Sequence, residues 1–465
     1  MFKIESADIV DMWGSKSMHI TFIDDVNFLI GVNGTGKTTV LNIIFAVLKG
    51  DIRNINKHEF RAIYINLERD SDDDYHYDTP QNIRVYVSKG YPSNKFSEAA
   101  NIDNADELFY DINDDLYHVV DDESKRVIYN RTRALEDSKD KNKIEIVSPE
   151  QLNNIIGKYI NIVGISTNRD RFGDSIDGEK ELLSSFWKNG VAHKEIRKYR
   201  GIDEILTTQL ARLKSYLIEK NNKIKEMSLI YQKNILLEML SDSNNLMSTR
   251  EIKGLAGNFN LKESTLVLFE AYKNLGVIDD TNAKHYKRKI DDNLKKVNKI
   301  LIELHAKKYS GVTFEDVAVL SMYKKLNEVV ELSENFNHKA ETEMYSLGVF
   351  IEIINNFYNN KIVNINNSGD LQILLGSEKS IDVSELSSGE KQVLTILIEA
   401  LLQRGNANVF FADEPEISLH VSWQSKIIKS IKKLNTNAQI IVATHSPEVA
   451  GSYPANIVNM EAVTQ

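Results

Sequence analysis

The sequence predicts an α/β protein: a mostly parallel core sheet, an antiparallel group of strands in its first third, and a large helical insertion dividing the core. Three observations predict it. Val409–Ala412 and Ile440–Ala443 are short, continuous apolar runs without polar alternation, the pattern of central parallel strands covered on both faces. Segments rich in Val, Ile and Tyr, separated by Asp, Asn, Ser or Gly, fill Met1 to Ile165 and read as further strands. From Ile202 to Tyr358 proline is absent and apolar residues recur at three and four, as in Leu206, Leu210, Leu213 and Leu217.

Taken in order, Ile20–Ile23 and Val26–Ile30 carry apolar residues around an Asp-Asp break, then lead through a Gly-rich loop into a helix, Thr38–Leu48. Strands are expected at Ala62–Leu67, Ile83–Ser88, Leu116–Val120, Val127–Tyr129 and Ile144–Val147. The pair Leu116–Val120 and Val127–Tyr129 flanks DDESKR and predicts a hairpin. Pro149 opens a short helix to Tyr159, and Ile162–Ser166 returns to the sheet. The helical insertion breaks at Gly254–Asn260 and Asn274–Asp280; its seams suit short antiparallel coiled coils, and its heptads are not sustained enough for a long one. Strands resume at Ile362–Ile365 and Leu371–Leu375 around NNSGD, followed by a helix, Gly389–Gln403. The expected division is 1–201, 202–358 and 359–465: two halves of one domain with a helical region between them for dimerisation or partner binding.

The 465 residues include no cysteine, which excludes disulfides, thiolate zinc sites and a cysteine nucleophile, and fits a reducing compartment. The N-terminus lacks the basic-then-apolar order of a signal peptide, and no apolar run approaches the ~20 residues of a membrane helix, so a cytoplasmic protein is expected, with no membrane partner. With a net charge of −10 the surface as a whole repels nucleic acid, and DNA binding would need a local basic patch. The best such stretch is Lys284–Lys299, interrupted by two aspartates. Acid concentrates in Glu68–Asp78 and Asp103–Glu123, which read as solvated hairpin tips or, second, as a docking surface for a basic partner.

Gly31-Val32-Asn33-Gly34-Thr35-Gly36-Lys37-Thr38 matches G-x-x-x-x-G-K-[ST] at every fixed position, with a strand before it and a helix after. Glycines let backbone N–H groups turn toward phosphate oxygens, and the helix adds its positive end. The pattern predicts an ATP site made by Asn33, Gly34, Thr35, Gly36, Lys37, Thr38 and Thr39, with Lys37 on the β- and γ-phosphates and the Thr38 hydroxyl on Mg²⁺. Asp413 and Glu414, delivered by the apolar run before them, supply the second half. Two adjacent carboxylates at the end of a buried strand are costly unless a cation and a proton transfer use them. Asp413 is expected in the Mg²⁺ shell and Glu414 as general base on the attacking water. Ser387 or Ser388 can cap the following helix, with Glu390 in its first turn, leaving exposed amides that suit an anion. His445 in Ala443-Thr444-His445-Ser446-Pro447 ends a buried strand, as a core residue or a catalytic one.

Leu386-Ser387-Ser388-Gly389-Glu390-Lys391-Gln392, the DEPEISLH segment Asp413–His420 and the Ala-Thr-His-Ser-Pro segment together resemble the OLD/SMC-like branch of ABC-type ATPases. The resemblance covers Met1–Lys49, Ile160–Arg171 and Asp382–Met460. It implies a RecA-like core with an antiparallel β-subdomain, and ATP hydrolysis with Mg²⁺ at a composite site. Ser387, Ser388, Gly389 and Glu390 would face the γ-phosphate held by another subunit. Ser388 stands where transporters usually carry glycine; serine also occurs there in the non-transporter branches. His445 would be the switch histidine, and Glu416–His420 would be the loop crossing the dimer interface. Asn168, after Ile162–Ser166, is the candidate for the γ-phosphate-sensing Q-loop, with Gln81 a poorer competitor, and Trp13-Gly14-Ser15-Lys16 resembles the turn that flanks adenine.

Within that branch the chain is most similar to the AriA ATPases of PARIS anti-phage systems, with the PtuA ATPases of Septu systems next. This implies an ATP-loaded homodimer or higher-order ring that holds a separate Toprim nuclease-like toxin and releases it when a phage-encoded trigger arrives. The sequence ends shortly after the histidine strand, so an effector is expected on another polypeptide. The competing expectation is a RecF-like DNA-repair ATPase that clamps DNA.

Overall fold

The computed structural model describes residues 2–69, 80–89, 108–120, 144–166, 202–240, 259–274, 278–279, 281–305, 313–366, 370–376, 379–403, 409–451 and 457–463. The chain begins with β1 (Phe2–Met12), β2 (Lys16–Thr21) and β3 (Val26–Ile30), then α1 (Lys37–Lys49) and α2 (Ile52–Asn56). Next come β4 (Ala62–Arg69), β5 (Asn82–Lys89), β6 (Leu108–Ile112), β7 (Asp115–Val119), β8 (Glu145–Val147), α3 (Pro149–Ile156) and β9 (Ile162–Ser166). Four helices follow: α4 (Ile202–Leu240), α5 (Leu261–Asn274), α6 (Ala283–His305) and α7 (Phe314–Phe357). The rest is β10 (Lys361–Ile365), β11 (Leu371–Leu375), β12 (Lys379–Ile381), α8 (Ser388–Leu402), β13 (Val409–Asp413), α9 (Val421–Leu434), β14 (Gln439–Ala443), α10 (Pro447–Ala450) and β15 (Ile457–Asn459).

These elements form two compact units, residues 1–213 with 349–465, and residues 214–348; the boundaries fall inside α4 and α7. The first unit is built on a five-stranded sheet in the order β15-β3-β14-β13-β9, with every pairing parallel. Its three central strands are buried almost throughout, which explains the unbroken apolar runs Val409–Ala412 and Ile440–Ala443 in β13 and β14. A seven-stranded sheet, β2-β1-β4-β5-β6-β7-β8, is antiparallel except for its last pair. One hydrophobic core joins Ile4, Ile9, Ile63 and Val85 of this sheet, the α1 residues Leu41, Ile44 and Phe45, and Phe411 and Ile441 of the parallel sheet. Phe45 meets Phe411 edge-on at 5.5 Å, and the buried Tyr110 hydroxyl donates to Val47 O on α1 at 3.2 Å. Gln439, fully buried at the start of β14, ties the sheets together: its amide donates to Ile4 O and Ile23 O and its carbonyl accepts from Ile4 N. A third, three-stranded antiparallel sheet is β10-β11-β12.

In the second unit, α4 and α7 run antiparallel. Lys220 meets Glu343 at 2.7 Å, Tyr231 stacks on Phe336 at 5.1 Å, and Ile235 packs with Val329. The α5, α6 and α7 helices share another core around Leu268, Leu294, Leu301, Leu320 and Tyr323. The apolar side chains of α6 recur at helical spacing, while its other faces carry charge.

The acidic stretch around 103–123 differs from expectation. Residues 108–119 are not a solvated tip but the buried hairpin β6–β7, closed by Asn113 and Asp114 at positive φ (54° and 72°). Leu108, Phe109, Tyr110 and Ile112 fill the core, and only the turn and Asp115 face solvent; burial of these apolar side chains outweighs the local charge. Leu116–Val119 therefore pairs with Leu108–Asp111. Val127–Tyr129, most of Glu68–Asp78 and the Gly254–Asn258 part of the turn lie outside the described residues. The strands β1, β6, β12 and β15 add to the expected set.

Candidate active site

The sheet order decides what meets what. With β14 inserted between β3 and β13, the ends of the three strands bring together the Gly-rich loop, the two carboxylates and the histidine turn. Asp413 lies in register with Ala443 on one side and Ser166 on the other.

The loop after β3 turns through glycines in the left-handed region, Gly34 (φ 87°) and Gly36 (φ 89°). Gly36 is the N-cap of α1 and no side chain caps it, nor does the first turn hold an acid; the first N–H groups of α1 are thus open to an anion. A Cβ on Gly36 would lie 2.5 Å from the ring of Trp13, so Trp13 rests against the loop, with Lys16 over its ring at 5.8 Å. Asn33 and Gly34 are exposed, and Thr35, Thr38 and Thr39 are half-buried. The Thr35 hydroxyl donates to Val32 O at 2.9 Å.

Lys37 is buried, and its ammonium donates to Gly31 O at 2.8 Å and Val32 O at 3.2 Å. Burial pushes its pKa below the ordinary lysine value, while Glu414, Asp413 and Glu461 pull it back up. The Thr38 hydroxyl donates to Asp413 Oδ1 at 2.8 Å, joining residues from opposite ends of the sequence. Asp413 is fully buried. Glu414 follows at positive φ (47°), with its N–H donating to Ala443 O at 2.8 Å. Its carboxylate lies 3.8 Å from His445 Nε2. His445 is not a core residue; its side chain is 41% exposed beside Glu414.

Ser387 caps α8 in a reciprocal box: its hydroxyl accepts from Glu390 N, and Glu390 Oε2 accepts from Ser387 N at 2.8 Å. Glu390 is buried, accepts from the Lys361 ammonium at 2.7 Å, and its main-chain oxygen accepts from the Tyr358 hydroxyl. Ser387 and Ser388 are exposed. A Cβ on Gly389 would lie 2.6 Å from Ser418 O, and Gln392 donates to Pro415 O at 2.9 Å. The head of α8 is therefore packed on the turn that follows Glu414. Asn168 lies outside the described residues; Gln81 sits between β4 and β5 of the antiparallel sheet, where its main-chain oxygen accepts from Arg69 N.

Sequence reasoning missed two groups here. Glu416, read as part of an interface-crossing loop, is buried and accepts from Thr444 and His445 of the same chain. Glu461, just after β15, accepts from Val32 N at 3.2 Å in the Gly-rich loop; nothing in its local sequence signals this.

The AAA_15 family, described as an AAA ATPase domain, matches this chain over residues 14–450. The chain belongs to that family. This AAA ATPase is also 30% identical over 138 residues to the "Retron Ec83 probable ATPase" of Escherichia coli, a match spanning 27% of this chain and 24% of that protein. Among solved structures it is similar to the Smc head domain with an extended coiled coil bound to the C-terminal domain of ScpA, from Pyrococcus furiosus (14% identity, TM-score 0.40, covering 100% of this chain and 96% of that one). A second is the Smc head domain with a coiled coil and joint from Pyrococcus yayanosii (16% identity, TM-score 0.37, 99% and 95%). No described helix of the AAA ATPase is long and apolar enough to cross a membrane.

Proposed function

We propose that this AAA ATPase hydrolyses ATP at an ABC-type composite site and serves as the sensor and scaffold of an anti-phage defence system. The carrying observation is the Thr38–Asp413 hydrogen bond at 2.8 Å, with Lys37 and Glu414 beside it. A hydroxyl and one buried carboxylate suit Mg²⁺, which takes few protein ligands and completes its shell with phosphate oxygens and water. The uncapped start of α1 suits the phosphates. Bound Mg²⁺ would neutralise charge developing on the phosphoryl group. In this reading Lys37 exchanges its carbonyl partners for phosphate oxygens, Glu414 takes a proton from the attacking water, and His445 donates to the γ-phosphate or orients that water. Trp13 would flank the base. Ser387, Ser388 and the first amides of α8 would face the γ-phosphate of a second copy. Both serines are exposed, which supports this, whereas Glu390 serves by holding the cap.

The segment shared with the retron ATPase supports the defence role. The helical unit would carry the partner: α4 exposes Leu229, Ile230, Leu236 and Leu237, two pairs seven apart on one side of the helix. We take that partner to be a separate Toprim nuclease-like toxin, released on arrival of a phage-encoded trigger by a homodimer or larger ring. A second reading, a RecF-like DNA clamp, draws on α6, where Lys284, Arg288, Lys296 and Lys299 are exposed while Lys295 is paired with Asp291 and Asp292. Binding of duplex DNA that weakens steeply with salt would favour it.

The core claim is tested by two variants. Lys37→Ala should abolish the ATP-induced rise in Tm. Glu414→Gln should keep that rise, trap an ATP-bound dimer on size exclusion, and slow turnover on the order of 10²–10⁴-fold. Wild-type turnover in Glu414→Gln would remove Glu414 as the base.

A further inference from the structure

Glu416 carries a buried carboxylate that the proposed hydrolysis does not use. The residue is 8% exposed. Its Oε1 accepts from the Thr444 hydroxyl at 2.5 Å and from His445 N–H at 3.3 Å, and Thr444 Oγ1 accepts in turn from Ser446 N–H at 2.9 Å. Its Oε2 is buried with no hydrogen-bond partner among the described residues. A carboxylate withdrawn from water is costly to keep, and one left half-satisfied calls for a reason.

The reason lies in what Glu416 joins. Its own turn is closed locally, by Ile417 N–H on Glu414 O (3.1 Å) and Leu419 N–H on Glu416 O (2.9 Å). One main-chain bond, Glu414 N–H to Ala443 O, links this turn to the end of β14. Glu416 adds the side-chain clip that reaches Thr444 and His445. Glu414 and His445 are 3.8 Å apart, too far for a direct hydrogen bond, so their separation is set by the two turns that carry them. The Thr444 hydroxyl and the His445 N–H both donate to the same oxygen, Glu416 Oε1, so one side-chain atom fixes two successive residues of the turn.

We propose that Glu416 is a positioning residue for ATP hydrolysis, holding the Thr444–Ser446 turn against the turn of Glu414 so that His445 and Glu414 converge on the same water and γ-phosphate. This rests on the composite-site reading above.

The test measures Mg-ATP turnover and the ATP-induced Tm shift on the full chain. Glu416→Ala should lower kcat on the order of 100-fold, as misplacement of a catalytic group does, with KM and the Tm shift nearly unchanged. Because the effect runs through His445, adding Glu416→Ala to His445→Ala should slow turnover by no more than about two-fold further. Glu416→Gln, which keeps one acceptor, should recover to within about ten-fold of wild type. Should Glu416→Ala fail to fold, Thr444→Val removes the donor at nearly constant shape and should show the same dependence on His445. Wild-type kcat in Glu416→Ala, a rise in KM alone, or losses that multiply with His445→Ala would overturn the proposal. Glu414→Gln separates the two failures. If it slows turnover while Glu416→Ala does not, only the clip is wrong; if Glu414→Gln does not slow it, the site reading falls as well.

Discussion

A methyl group on Gly389 would sit 2.6 Å from Ser418 O, a main-chain atom with no side-chain freedom to withdraw. Gly389→Ala must therefore push the 415–418 turn away from α8, at a cost of about 1–3 kcal/mol for an overpacked contact. The turn begins at Glu414, so the expected result is a lower Tm together with a lower kcat, measured by thermal melts and ATP turnover. Gly36→Ala acts differently. It forces an L-residue to φ 89° and crowds Trp13, so nucleotide affinity should fall more than stability, read as a weakened ATP-induced Tm shift. At this scale the sequence was informative where chemistry demands fixed spacing. Gly31–Thr38, Asp413, Glu414 and His445 meet because each ends a strand of one parallel sheet. Glu416 was legible as a residue but not as a clip, since its partners Thr444 and His445 lie far along the chain and only the β13–β14 register brings them close. Glu461 had no local signal at all.

The first turn of α8 shows how one element can serve structure and site together. Glu390 is drawn below its ordinary value of 4.5: burial pushes it up, but the Lys361 ammonium and the Ser387 N–H and hydroxyl outweigh that. A carboxylate whose folded pKa lies below its unfolded one stabilises the fold fully above about pH 4.5, and loses that contribution as pH falls through the folded value. Glu390→Gln should therefore destabilise the fold at pH 7 by about 1–3 kcal/mol for a lost charge-assisted cap, read as a lower Tm, and flatten the acid limb of the Tm–pH curve. Lys361→Met should reproduce part of the effect. Among elements, the buried runs β13 and β14 and the capped helices α3 and α8 were readable from pattern alone. The hairpin β6–β7 was not, because Asn113, Asp114 and Asp115 cluster at a turn whose flanking apolar side chains are core. Three-residue strands such as β12 and β15 are too short for any period to register.

For the molecule, the division into residues 1–213 with 349–465 and residues 214–348 has a direct test. The first unit has its own continuous core, so replacing 214–348 by a Gly/Ser linker of roughly 12 residues, with a reach of about 20 Å, should leave ATP binding measurable by Tm shift. Partner capture should be lost. Wild-type partner capture by this deletion would move the docking surface off the helical unit. The order β15-β3-β14-β13-β9 also bears on biosynthesis. Phe28 pairs with Val442 on one side and Ile457 on the other, residues made on the order of 400 positions later, roughly 20–80 s at usual elongation rates. Until then both edges of β3 stand open on the ribosome, and the nucleotide loop has no carboxylate to face. The two halves of the site, Thr38 and Asp413, therefore meet only after nearly the whole polypeptide has been made.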